Sequence, residues 1–253
     1  MTIRDDHALA ADLATEAGER LLALRAREGF ADPAGLRALG DRASHVFLME
    51  SLSRLRPSDC VLSEESSRED RLDPRRLSAP RVWIVDPLDG TREFAEEGRS
   101  DWAVHVALWE GDRLTAGAVA LPAQGRTLST GEPPKLPAHR GRFRIAVSRT
   151  RPPEFVQKLA YLVGADLVPI GSAGAKISAV LTGDVEAYVH AGGQYEWDSA
   201  APVAVAQAAG AHTSRIDGTS LTYNRPDPSL PDILVSLPDL ASTLLAGIRD
   251  LHR

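Results

Sequence analysis

Between residues 7 and 28 the apolar positions Leu9, Leu13, Ala17, Leu21 and Leu24 recur every three or four residues. That is the spacing of one helical face, and Gly29 supplies a natural stop. A second helix is predicted to begin near Asp41 and to end before Pro57, with Val46, Phe47, Leu52 and Leu55 turned inward. At that position Asp41 would cap its N-terminus. Cys60, Val61 and Leu62 read as a short strand with Glu64 and Glu65 just beyond it. The β-branched and aromatic run Val82-Trp83-Ile84-Val85 predicts a buried strand. A sharp turn follows, because Pro87 fixes its own φ and Gly90 permits positive φ.

Alternation over residues 102–109, 114–121 and 126–130, broken by Glu110-Gly111-Asp112-Arg113 and Gln124-Gly125, predicts successive hairpins and an antiparallel sheet. Gly131 to Pro137 is the most linker-like stretch, so a boundary is expected near residue 140. Beyond it, strands (143–148, 166–170, 185–190, 233–236) alternate with helices (152–163, 173–181, 199–209, 238–248), an α/β rhythm. The expectation is an α+β half over residues 1–140 packed against a smaller α/β half over 141–253, with a site in the cleft between them.

A length of 253 residues suits one large domain or two closely packed ones. At 43% hydrophobic and 25% charged, the composition is that of an ordinary globular protein. The formal charge of −6, without a Lys/Arg block, argues against a nucleic-acid coat. The single cysteine, Cys60, excludes an intrachain disulfide and a cysteine-based zinc site, and reads as a buried strand residue. No leader-like segment and no long apolar run occurs, which sets a cytoplasmic expectation with no membrane partner. The seven histidines are scattered and read as core or surface residues.

The candidate chemistry lies in the turn after the second predicted strand. Asp86 and Asp89 flank Pro87-Leu88 on a tight bend, so their carboxylates can share one small volume. At an effective dielectric near 20 two such charges about 4 Å apart repel by about 4 kcal/mol. Either one is protonated or a cation lies between them, and the cation is the reading adopted here. Asp217-Gly218-Thr219 repeats the tail of the motif without its strand and reads as a plain turn. Glu64, Asp198 and Asp41 add carboxylates placed after a strand, before a helix, and at a helix start. An all-oxygen donor set selects Mg²⁺ first and Mn²⁺ second. Two such ions can activate a water and hold both the attacking and the leaving oxygen of an in-line phosphoryl transfer. A Gly-rich phosphate loop with its lysine is missing, which excludes a P-loop nucleotide hydrolase.

Asp86-Pro87-Leu88-Asp89-Gly90-Thr91, with Glu64-Glu65 upstream and Trp197-Asp198 downstream, resembles the lithium-sensitive, Mg²⁺-dependent phosphomonoesterases of the inositol monophosphatase superfamily. The stretches 81–94, 171–176 and 190–202 look most like the actinobacterial CysQ-type 3′-phosphoadenosine 5′-phosphate phosphatases. The resemblance implies the layered α-β-α-β-α sugar-phosphatase fold and a homodimer. It implies that Glu64, Asp86 and the Leu88 carbonyl bind a first Mg²⁺, and that Asp86, Asp89 and Asp198 bind a second. Glu64 would help to hold a weaker third ion. Asp41 and Thr91 match the pair that orients and deprotonates the attacking water, with Glu64 beside them in the catalytic set. Leu88, Asp89, Gly90, Thr91, Ser172, Lys176 and Asp198 match substrate contacts, the backbone N–H groups of Gly90 and Thr91 holding phosphate oxygens. Arg149 is a further candidate for a second phosphate. The implied activity is hydrolysis of the 3′-phosphate of 3′-phosphoadenosine 5′-phosphate, and of its 5′-phosphosulfate analogue, within sulfate assimilation. Inositol 1-phosphate and fructose 1,6-bisphosphate are the alternative substrates. A regulatory protein that kept only the fold would be expected to lack a metal ligand, and none is missing.

Overall fold

The computed structural model describes residues 5–139, 141–150 and 152–251. Two long helices, α1 (Asp6–Glu28) and α2 (Pro33–Leu55), lead into β1 (Cys60–Ser63). Two short helices, α3 (Arg68–Arg71) and α4 (Pro74–Ser78), connect it to β2 (Arg81–Asp89). After the single turn α5 (Thr91–Phe94) come β3 (Ala103–Glu110), β4 (Arg113–Leu121) and β5 (Arg126–Ser129). The second half runs β6 (Arg144–Ser148), α6 (Glu154–Val163), β7 (Asp166–Ile170), α7 (Ala173–Thr182), β8 (Ala187–Tyr195) and α8 (Glu196–Ala208). It closes with β9 (His212–Ser214), β10 (Ser229–Ser236) and α9 (Ala241–Leu251).

The strands form two five-stranded sheets, β1-β2-β3-β4-β5 and β7-β6-β8-β10-β9. Both faces of each sheet are apolar and covered. Trp83, Val85, Val104 and Val106 pack on the leucine stripes of α1 and α2. Leu62, Val82 and Ile84 point the other way, onto α7 and α8, whose far side meets Tyr188, Ile233 and Val235 of the second sheet. The outer face of that sheet, with Ile145, Val189 and Leu234, is closed by α6 and α9. The layers therefore run α-β-α-β-α, as the resemblance implied. Gly117 makes this sandwich possible, since a Cβ there would stand 2.7 Å from the Ala204 methyl of α8. Among the described residues no helix is long and apolar enough to cross a membrane.

Several expectations need correction. Helix α2 begins at Pro33, capped by the Asp32 carboxylate on the Gly35 N–H at 3.0 Å. Asp41 is therefore a mid-helix residue and caps nothing. The glycines that interrupt the pattern have a packing cause: a Cβ on Gly40 would fall 2.7 Å from Phe94 and 2.9 Å from Leu88. Val46, expected inside, is 43% exposed, and Cys60 is half-buried rather than buried. The first sheet is mixed, because β1 runs parallel to β2. Strand β8 continues past His190 to Tyr195, through Gly192 and Gly193 at φ +83° and +72°. Helix α8 begins three residues early, at Glu196, and the short β9 was not foreseen. Residue 140, where the boundary was expected, lies outside the described residues.

Candidate active site

The β1–β2 pair sets the site's first corner. Their parallel register pairs Ser63 with Val85, so Glu64, just past the end of β1, comes to lie beside Asp86, which stays within β2. At the end of β2 the Leu88 N–H donates to Asp86 Oδ1 at 3.0 Å, and the Thr91 hydroxyl donates to the Leu88 carbonyl at 3.1 Å. These two bonds, with Gly90 at φ +84°, make the bend that directs Asp86 and Asp89 to one side. The matching tail at Asp217 does behave as a plain turn, its carboxylate spent on the Thr219 N–H and hydroxyl at 2.8 and 2.6 Å.

The second corner comes from α8. Asp198 sits in its first turn and accepts the Tyr195 N–H at 2.6 Å, so it closes the helix from inside rather than capping it from outside. Oxygens of Asp86, Asp89 and Asp198 lie within 4.8 Å of one another. Glu64 stands outside that triangle but within hydrogen-bonding reach of the Asp86 carboxyl, and adds its charge to it. Burial, then the charges of Glu64, Asp89 and Asp198, holds the Asp86 carboxyl well above the usual carboxylate range. Burial and the neighbouring Asp89 push Asp198 up to about 7. Asp86 Oδ2 is buried and makes no hydrogen bond of ordinary geometry among the described residues. A buried oxygen without a donor, in an all-carboxylate set, fits a hard divalent cation.

Asp89 behaves differently. Its Oδ2 accepts the Gly174 N–H at 2.6 Å and lies 3.2 Å from Nε2 of His105, while Oδ1 accepts the Ala173 N–H at 3.2 Å. Burial would raise this carboxyl, but His105 and the α7 amides outweigh it and hold it below the usual range. His105 is fully buried on β3, opposite Asp86 in the register, and its Nδ1 also meets the Trp197 carbonyl at 3.0 Å. It thus joins Asp89 to the start of α8. The sequence reading missed this residue. Its one local signal was a histidine inside an otherwise apolar strand, and the partner is sixteen residues away on another strand.

The remaining residues surround the triangle. Asp41 lies across from Thr91, Glu64 and Glu65. Burial first, then the two glutamate charges, pushes its carboxyl up to about 7. Ser172 caps α7, accepting the Ala175 N–H at 2.8 Å. Lys176 is buried, not an exposed helix lysine; burial lowers its affinity for a proton, and its ammonium donates to the Gly171 carbonyl. Arg149 reaches the same cleft but is spent on Glu93 at 2.8 Å and Glu96 at 2.7 Å. A cavity of about 320 Å³ opens here, walled by Thr91, Ser172, Lys176, Tyr188, His190 and Asp198. The arrangement pairs an acidic floor that could take a cation with a buried ammonium at one side, which suits a phosphorylated small molecule.

The inositol monophosphatase family model matches residues 7–250. The chain is 50% identical to the 3′-phosphoadenosine 5′-phosphate phosphatase of Mycobacterium leprae, over 97% of this chain and 94% of that protein. It is 33% identical to the 3′(2′),5′-bisphosphate nucleotidase CysQ of Escherichia coli, over 72% of this chain and 77% of the other. Among solved structures, CysQ of Bacteroides thetaiotaomicron superposes with a TM-score of 0.71 at 26% identity, over 91% of this chain and 96% of that one.

Proposed function

We propose that this chain, which belongs to the inositol monophosphatase family, is a Mg²⁺-dependent phosphomonoesterase acting on 3′-phosphoadenosine 5′-phosphate. Its products are AMP and inorganic phosphate. The chemistry rests on one observation, the Asp86–Asp89–Asp198 carboxylate triangle, in which Asp86 Oδ2 is buried without a hydrogen-bond donor among the described residues. The substrate is taken from the half-identical mycobacterial relative. The 5′-phosphosulfate analogue is a second substrate, and the role is removal of a sulfate-assimilation by-product.

In this reading Glu64, Asp86 and the Leu88 carbonyl would hold one cation, Asp86, Asp89 and Asp198 would hold another, and Glu64 would help to hold a weaker third. When bound, Mg²⁺ (or Mn²⁺) supplies charge neutralisation for the phosphoryl oxygens and lowers the pKa of water. Asp41 accepts a proton from the attacking water, a task matched to a carboxyl near 7. Thr91 orients that water, and the Gly90 and Thr91 N–H groups hold phosphate oxygens. As the new P–O bond forms, the bond from phosphorus to the 3′ oxygen breaks, and that oxygen takes up a proton from solvent water to leave as a hydroxyl, while Asp41 returns its proton to solvent. Asp89 and Asp198 face the departing side. Lys176 and Ser172 face the remainder of the substrate. The enzyme is taken to be a cytoplasmic homodimer.

Phosphate release from 3′-phosphoadenosine 5′-phosphate, inositol 1-phosphate and fructose 1,6-bisphosphate, at equal low concentration with and without Mg²⁺ and Li⁺, tests this. Mg²⁺-dependent, Li⁺-inhibited release, fastest from the nucleotide, is expected. Preference for inositol phosphate would overturn the substrate assignment. Absence of any Mg²⁺-dependent release would overturn the chemistry.

A further inference from the structure

The connection between β1 and β2 is thinly attached to the body. No residue of α3 is buried, and in α4 only Arg76 is. A cavity of about 610 Å³ opens beneath it, bounded by His45 and Met49 of α2, Cys60 of β1, and Asp70, Asp73 and Arg75 of the connection itself. Arg76 is 1% exposed and is the side chain that crosses into the interior. Its Nη1 donates to Asn224 Oδ1 at 2.6 Å, and Nη2 donates to the carbonyls of Arg71 and Arg225 at 2.9 and 3.1 Å. The N–H groups of Asn224 and Arg225 in turn donate to the two oxygens of Glu196, at 2.7 and 2.8 Å. Asn224 holds the left-handed conformation at φ +60°, which allows both consecutive amides to face one carboxylate. Glu196 is also 1% exposed, and it opens α8 in the same first turn as Asp198. Next to it, the guanidinium of Arg71 lies 5.4 Å from the centre of the Trp197 ring. A buried guanidinium and a buried carboxylate are costly to keep unless they fix something. Here both converge on the two residues that precede Asp198.

We infer that Arg76, acting through Asn224 and Glu196, is a positioning residue that sets the first turn of α8, and with it Asp198, against Asp86 and Asp89. This rests on the metal-site reading above. Asp198 itself is held only by the Tyr195 N–H among the described hydrogen bonds, so its placement follows the helix start. Withdrawing the clamp lets that turn shift, which weakens cation binding and leaves the residues that contact phosphate intact. Groups bonded directly to a metal ligand commonly control affinity by about 10–100-fold, and Arg76, which stands further out, belongs at the low end of that range.

The test is a calorimetric Mg²⁺ titration of the full chain, paired with turnover as a function of Mg²⁺. Wild type is compared with Arg76→Met, Arg76→Lys and Asn224→Gly. Asn224→Gly keeps the left-handed backbone and deletes the acceptor for Arg76. Arg76→Met is expected to raise the Mg²⁺ dissociation constant about tenfold. Asn224→Gly and Arg76→Lys should shift it in the same direction by less. At saturating Mg²⁺, KM should be unchanged and kcat should return towards wild type. A merely structural role predicts lower thermal stability with an unchanged Mg²⁺ constant, and that result overturns the inference. If Arg76→Met does not fold, unchanged Mg²⁺ constants in both milder variants overturn it equally. A wild type that binds no Mg²⁺ sinks the metal reading, and the clamp with it; a wild type that binds while the variants match it sinks the clamp alone.

Discussion

Asp198→Asn removes one charge from the carboxylate triangle and keeps its shape, including an oxygen for the Tyr195 N–H. Burial and Asp89 raise the Asp198 carboxyl from 3.8 to about 7. At 1.36 kcal/mol per tenfold change in proton affinity, that rise corresponds to about 4 kcal/mol. For comparison, one like charge 4.8 Å away contributes about 3.5 kcal/mol at an effective dielectric near 20. The sign follows from which state holds the proton more tightly. The folded-state pKa is the higher one, so the stabilising contribution is complete below about pH 4 and is lost as pH rises through about 7. In EDTA, wild type should therefore lose stability from this group across that window, and the asparagine variant should not. For a chain of this size the difference is roughly 10 °C in Tm at about pH 8 and much smaller at about pH 5. Added Mg²⁺ reverses the order, because wild type gains a bound cation and the variant loses a ligand. Thermal denaturation followed by circular dichroism at both pH values, with EDTA and with Mg²⁺, reads all four states. A variant that tracks wild type in EDTA and gains as much from Mg²⁺ would refute the reasoning.

Asp41→Asn should lower kcat by about 10²–10⁴-fold while leaving the Mg²⁺-induced rise in Tm intact; wild-type kcat would remove Asp41 from the reaction. Gly174→Ala puts a Cβ 2.0 Å from His105 Nε2. Overpacking of that kind costs about 1–3 kcal/mol and would also part the ring from Asp89. Urea denaturation and turnover should both fall, and a variant normal in each would show that the contact relaxes freely. Lys176→Met should raise KM for the nucleotide bisphosphate more than it lowers kcat, by about 10–100-fold, the worth of one charge-assisted hydrogen bond. An equal effect on a substrate with a single phosphate would show that Lys176 serves the fold instead.

The stretch from Val82 to Thr91 was legible because everything it does is local. A β-branched run makes the strand, Pro87 and Gly90 make the bend, and the bend brings two carboxylates together whatever lies around it. The hairpins of the first sheet and the alternation of the second half were local as well, and so was the stop at Gly29, where φ is +69°. The parallel pairing of β1 with β2 was not, since two consecutive strands with a long connection pair either way until the rest of the sheet is known. The start of α2 lies eight residues earlier than expected, in a stretch where Gly35 and Gly40 weaken the helical signal. Gly40 is there so that the helix can touch Phe94 and Leu88, which carries Asp41 to Thr91.

What the sequence determined by itself is the kind of chemistry: oxygen ligands on a built turn, with no cysteine or histidine cluster to compete. Which charges in that cluster persist was decided only by tertiary structure. His105 and two helix amides hold the Asp89 carboxyl below the usual carboxylate range, whereas burial and neighbouring like charges push the Asp86 and Asp198 carboxyls above it. The Asp89 partners come from β3 and α7, brought together by packing alone. Local sequence fixes backbone conformation over a few residues, but an electrostatic environment is a sum over everything within several ångströms, and only the folded chain defines that neighbourhood.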